Sequence, residues 1–86
     1  MITIWHKDYE SEGGTPGEIR IGWASWDEGH TTKSIKWAYR DSTGKISRGA
    51  PEVPFDVLVE MALFAIEKGE LDKDQIKRLK KYIQSE

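Results

Sequence analysis

The sequence contains no cysteine, which excludes disulfide bonds, a thiolate nucleophile and any cysteine-ligated metal centre. Its only histidines, His6 and His30, stand far apart and outside any HExxH-type spacing, so no metal and no cofactor is expected. No stretch approaches the roughly 20 apolar residues needed to span a bilayer. The opening MITIWHKDYE reaches charge before it can build the apolar centre of a secretory signal. No membrane contact and a cytoplasmic location are the corresponding expectations.

An excess of one charge sign is also missing. Thirteen Lys and Arg oppose fifteen Asp and Glu, and the balance is even along the chain: seven against eight through residue 54, six against seven after it. No global basic field draws in nucleic acid, so a nucleic-acid surface would have to be a local one. Phosphate-binding loops are absent as well. GGTPG and DSTGK carry glycine and hydroxyl groups but match neither the Walker A pattern nor the dinucleotide fingerprint, and both read as turns. DEGHTT gathers acid, histidine and hydroxyl groups, yet it shows no nucleophile, base and orienting group in sequence relationship, so no catalytic residue is assigned. A non-enzymatic protein is expected.

What the chain does have is aromatic alternation. In GEIRIGWASWDEGHTTKSIKWAYRD, residues 17–41, two period-two runs flank a polar turn. Ile19, Ile21 and Trp23 fall on one face of the first run, and Ile35, Trp37 and Tyr39 on one face of the second. Residues 2–9 begin a third alternating run, in which Ile2 and Ile4 point one way and Thr3 and Trp5 the other. ESEGGTPGE, DEGHTTK and DSTGK supply connections, and KISR offers a short fourth strand. Such short links favour antiparallel neighbours, because parallel pairing needs a long crossover.

The composition changes after GAPEVP. FDVLVEMALFAIEK, residues 55–68, places Val57, Leu58, Met61, Ala62 and Ala65 at helical spacing, with Phe64 and Ile66 widening the apolar surface; Pro54 suits its first turn and Gly69 its end. Asp72 and Gln75 have the spacing of a capping box, and Ile76, Leu79 and Ile83 form the stripe of a second helix. The expected fold is α+β, a small three- to four-stranded antiparallel β-meander followed by two packed α-helices. It occupies a single domain over residues 1–86, with residues 1–50 mainly β-sheet and helices over 54–69 and 72–84. Eighty-six residues bury only about three fifths of the unfolded surface, so the aromatic residues must contribute heavily to the core.

If Trp23 and Trp37 belong to the buried face, the opposite face becomes the candidate partner-binding surface. A simple register gathers Arg20, Lys36 and Arg40 there, beside Trp5 and Trp26. The expected partner is another protein or a second copy of the chain, through a small adaptor or regulatory module in which the two rings anchor and the three cations orient acidic groups. The alternative is single-stranded DNA or RNA, stacked on the rings and held by its phosphates. Lys73, Lys77, Arg78, Lys80 and Lys81 form a secondary basic patch, interleaved with Glu70, Asp72, Asp74 and Glu86, as on a solvated helix face.

Overall fold

The computed structural model describes residues 1–85 and divides the chain into two compact units, Met1–Phe55 and Asp56–Glu86. The element order is α+β, as the sequence implies. The strands are β1 (Ile2–Glu10), β2 (Pro16–Trp23), β3 (Lys33–Tyr39) and β4 (Val53–Pro54); the helices are α1 (Phe55–Glu67) and α2 (Lys73–Gln84).

The strands form one antiparallel sheet in the order β1-β2-β3-β4, a meander of sequence neighbours. The β1–β2 link is tight, because the Ser11 amide donates to the Thr15 carbonyl and the Gly14 amide to the Ser11 carbonyl. In the β2–β3 turn, the Asp27 carboxylate accepts from the Gly29 amide, the Thr31 amide and the Thr31 hydroxyl. Asp41 organises the turn after β3 in the same way, accepting from the Thr43 amide and hydroxyl and the Lys45 amide. These acceptors explain why polar segments without a core can still fix strand register.

The fourth strand is not KISR. Ile46 makes a single bridge to Arg40, and the ladder is completed instead by Val53 opposite Ile35 and Pro54 opposite Ser34. Glu52, just before β4, accepts hydrogen bonds from the Ser34 hydroxyl at 2.8 Å and from both the amide and hydroxyl of Ser25. It also lies 3.7 Å from the N-terminal ammonium. Those bonds tie the returning chain to the sheet where hydrophobic periodicity carries no signal. Proline is tolerated in β4 because a strand of two residues at the sheet edge demands little of its missing donor.

In the second unit, α1 ends in a Schellman motif. The Glu70 amide donates to the Ala65 carbonyl and the Gly69 amide to the Ile66 carbonyl, with Gly69 at φ 70°. Helix α2 opens with the expected capping box: Asp72 accepts from the Gln75 amide at 2.7 Å, and the Gln75 side chain accepts from the Asp72 amide at 3.0 Å. The expectation of two packed helices is corrected in one respect. No Cα atom of α1 comes within 8 Å of one in α2, and neither helix buries a residue, so their apolar surfaces do not cover each other. Between the two helices lie the left-handed residue Gly69 and the extended cap residue Asp72.

Candidate functional site

The pairing register decides which side chains share a face. Across β1, β2 and β3 the rows read Ile2–Trp23–Lys33, Trp5–Ile21–Ile35, Lys7–Ile19–Trp37 and Tyr9–Gly17–Tyr39, with Val53 of β4 extending the second row. The alternate positions, Thr3, His6, Asp8, Glu10, Glu18, Arg20, Gly22, Ser34, Lys36 and Ala38, belong to the reverse face.

Trp5 is therefore on the face of Trp23 and Trp37, not opposite them. The cause is a bulge: Thr3 pairs with Gly22 and Trp5 with Ile21, so Ile4 is an extra residue and the in–out alternation of β1 reverses after it. Ring geometry agrees. The Lys33 ammonium lies 5.1 Å from the Trp5 centroid and 5.3 Å from that of Trp23, spanning both indoles. Gly22 makes the close β1 approach feasible, since a Cβ there would collide with the Ile2 carbonyl.

The other predicted site residues are dispersed. Trp26 is 52% exposed, but β2 ends at Trp23 and the chain leaves the sheet where the Asp27 amide returns to the Ala24 carbonyl. Arg20 and Lys36 are cross-strand partners on the reverse face. Arg20 Nε donates to Glu18 at 2.8 Å, and Arg40 Nη2 lies 3.7 Å from the same carboxylate while Nη1 donates to the Gly44 carbonyl. The Arg20 hydrogen bond holds Glu18 below its ordinary pKa against partial desolvation. Two of the three predicted cations thus share an internal acceptor, and neither accompanies Trp5.

The aromatic face was divided wrongly by sequence alternation alone, and its full membership emerges only from the register. Trp5 is 58% exposed and Tyr9 43%, whereas Trp23, Trp37, Ile19, Ile21 and Ile35 are half-buried. His30 stacks on Trp23 with centroids 5.8 Å apart and planes at 16°, and the Tyr9 edge meets Trp37 at 5.8 Å and 72°. His30 has φ 54°, a left-handed backbone position maintained inside the turn built on Asp27. The Thr31 hydroxyl is the main reason the Asp27 pKa falls to about 2, with desolvation opposing and the Thr31 and Gly29 amides adding to the fall.

The secondary basic patch lies in the other unit. Lys73, Lys77, Lys80 and Lys81 border one shallow apolar groove of α2 with Leu71 and Ile76, while Arg78 borders another with Leu79 and Tyr82. Among the described residues, no three His, Asp or Glu side chains converge as metal ligands, and no helix is long and apolar enough to cross a membrane. No family model matches the chain, and no curated protein or solved structure matches it.

Proposed function

We propose that this chain is a small non-enzymatic protein-binding module that self-associates, with the helices α1 and α2 as its contact surface. The supporting observation is the nature of α1. Ten of its thirteen residues are apolar and cover the helix surface outside the one stripe shared by Asp56, Glu60 and Glu67, and Val59, Met61, Leu63 and Phe64 are each more than half exposed. A helix with so broad an apolar surface belongs against other apolar groups, and at about 20 Å this one is too short for the roughly 30 Å interior of a bilayer.

Charge favours a second copy as the cover. The charged residues of α1 are Asp56, Glu60 and Glu67, all acidic; α2 carries Lys73, Lys77, Arg78, Lys80 and Lys81 against Asp74 alone. In a two-fold assembly the acidic rim of α1 meets the basic rim of the partner copy's α2 twice, by symmetry. Leu79, Tyr82 and Ile83 are exposed on α2 and supply the apolar complement.

The turn chemistry supports a non-enzymatic reading. Asp27, whose backbone carbonyl accepts from the His30 amide, has its carboxylate occupied by the amides and hydroxyl of its own turn, and the imidazole lies against an indole. The test is light scattering coupled to size-exclusion chromatography across a concentration series. A dimer that becomes a monomer in Phe64→Glu, with helical circular dichroism retained, is the expected result. A monomer at every concentration, or a dimer indifferent to that substitution, would overturn the proposal.

A further inference from the structure

The sheet carries a second surface that self-association through the helices does not use. We infer that the face bearing Trp5, Trp23, Lys33, Lys7 and Tyr9 binds single-stranded nucleic acid. It is a different face from the one carrying Arg20 and Lys36, and it has a property that those residues lack.

The register confines the carboxylates of the three long strands to one face. Among strand positions on the aromatic face, the side chains charged at neutral pH are Lys7 and Lys33, both cationic, with no carboxylate between them. Asp8, Glu10 and Glu18 all occupy the reverse face, where Glu18 is paired with Arg20. A chain of net charge −2 therefore presents one sheet face that is locally positive. Near the Trp23 end, the adjoining turn contributes Asp27, whose oxygens are engaged within the turn, and the exposed Glu28.

The rings provide what a polyanion site alone would not. Trp5 is more than half exposed, and Tyr9 stands four residues along the same edge strand, about 13 Å away at the rise of an extended chain. Bases lying along β1 can stack on these two rings, while Lys7, between them in sequence and on the same face, meets the backbone phosphate. Lys33 reaches over Trp23 toward Trp5, so its ammonium is fixed beside the stacking surface before any ligand arrives. Bases paired within a duplex cannot offer their faces in this way, so single strands are the fitting ligand. The site has no array of side-chain amides or carboxylates to read base edges, and binding is independent of sequence. An acidic peptide would satisfy the lysines but leave the rings with little to stack.

The experiment is fluorescence anisotropy of a labelled oligothymidylate titrated with the full chain at several salt concentrations. Two phosphate contacts give a log–log salt slope of about −1.4, at roughly −0.7 per contact on single strands. Trp5→Ala is expected to weaken binding by ~10-fold through lost stacking. Lys33→Gln and Lys7→Gln should each reduce the slope by about 0.7, and Lys36→Gln on the reverse face should leave it unchanged. Circular dichroism melts establish that each variant is folded; if Trp5→Ala is not, the two lysine variants carry the test. No binding by the wild type at low salt would overturn the inference. So would equal competition by polyglutamate, which identifies an anion or acidic-peptide surface, equal binding of duplex DNA, or an effect of Lys36→Gln matching that of Lys33→Gln. Because the oligomer test reads α1 and this one reads the sheet, either can fail alone.

Discussion

The Trp37 ring of β3 reaches the Tyr9 ring of β1 across the strand between them, at 5.8 Å and edge to face. It can do so because the residue between Tyr9 and Tyr39 in that row is Gly17. A Cβ at Gly17 would lie 2.8 Å from the Trp37 ring and 2.7 Å from the Ala38 carbonyl. The missing side chain is the space the indole fills, so two strands that are not neighbours are coupled by aromatic contact as well as through β2.

Gly17→Val should therefore destabilise the sheet by about 1–3 kcal/mol, the usual range for overpacking. Urea unfolding measures the loss, and near-ultraviolet circular dichroism should show the Tyr9–Trp37 contact disrupted. An unchanged unfolding midpoint would mean that the ring can move aside freely.

The turn that places His30 against Trp23 should loosen in acid. Asp27 has a pKa of about 2 in the fold against an ordinary 3.8, so its contribution to stability is complete above about pH 4. That contribution disappears as the pH falls from there through about 2, when the carboxylate is protonated and the Thr31 and Gly29 donors lose their charged acceptor. Amide chemical shifts of Gly29, His30 and Thr31 should report the transition in that window. Asp27→Asn should show the loosened turn at neutral pH and no transition there.

Glu52 anchors the short fourth strand, and its replacement by Ala should cost about 1–3 kcal/mol by leaving the wholly buried Ser34 hydroxyl without its acceptor. Burial pushes the Glu52 pKa up, but the hydrogen bonds from Ser25 and Ser34 outweigh it and hold the group below its ordinary value. Combining Glu52→Ala with Ser34→Ala should recover part of the loss in urea unfolding. Additive losses would show that the pair is not coupled.

Asp72→Ala should cost about 1 kcal/mol of local helix stability by removing the N-cap acceptor. Hydrogen exchange should accelerate first at Gln75, whose amide is the capped donor, while α1 keeps its protection. A uniform acceleration through both helices would instead mean that they unfold as one unit.

Much of the fold was legible because its information is local. Alternation identified β2 and β3 and correctly grouped Ile19, Ile21, Trp23, Ile35, Trp37 and Tyr39, while Gly69 and Asp72 marked the helix boundaries by their own backbone chemistry. The fourth strand was not legible in this way, because Val53–Pro54 is held by Glu52 reaching back to Ser25 and Ser34 across long sequence separations. Trp5 was displaced from its expected face by one bulged residue that no compositional feature distinguishes. Trp26 continued the alternation of β2 on paper, but the turn had already begun. The absence of carboxylates from the aromatic face followed from all of these pairings together and from no single segment.

The bulge at Ile4 has a consequence for how the protein survives at high concentration. β1 is a nine-residue strand at the edge of the sheet, with a row of backbone donors and acceptors free to recruit another chain. The extra residue bends that row near its start, and Lys7 on one face with Asp8 and Glu10 on the other brings charge to both faces of the remainder. A foreign strand approaching this edge must match a distorted ladder and place its own side chains against alternating charge. The irregularity that turns Trp5 toward the aromatic face also makes β1 a poor template for fibril growth.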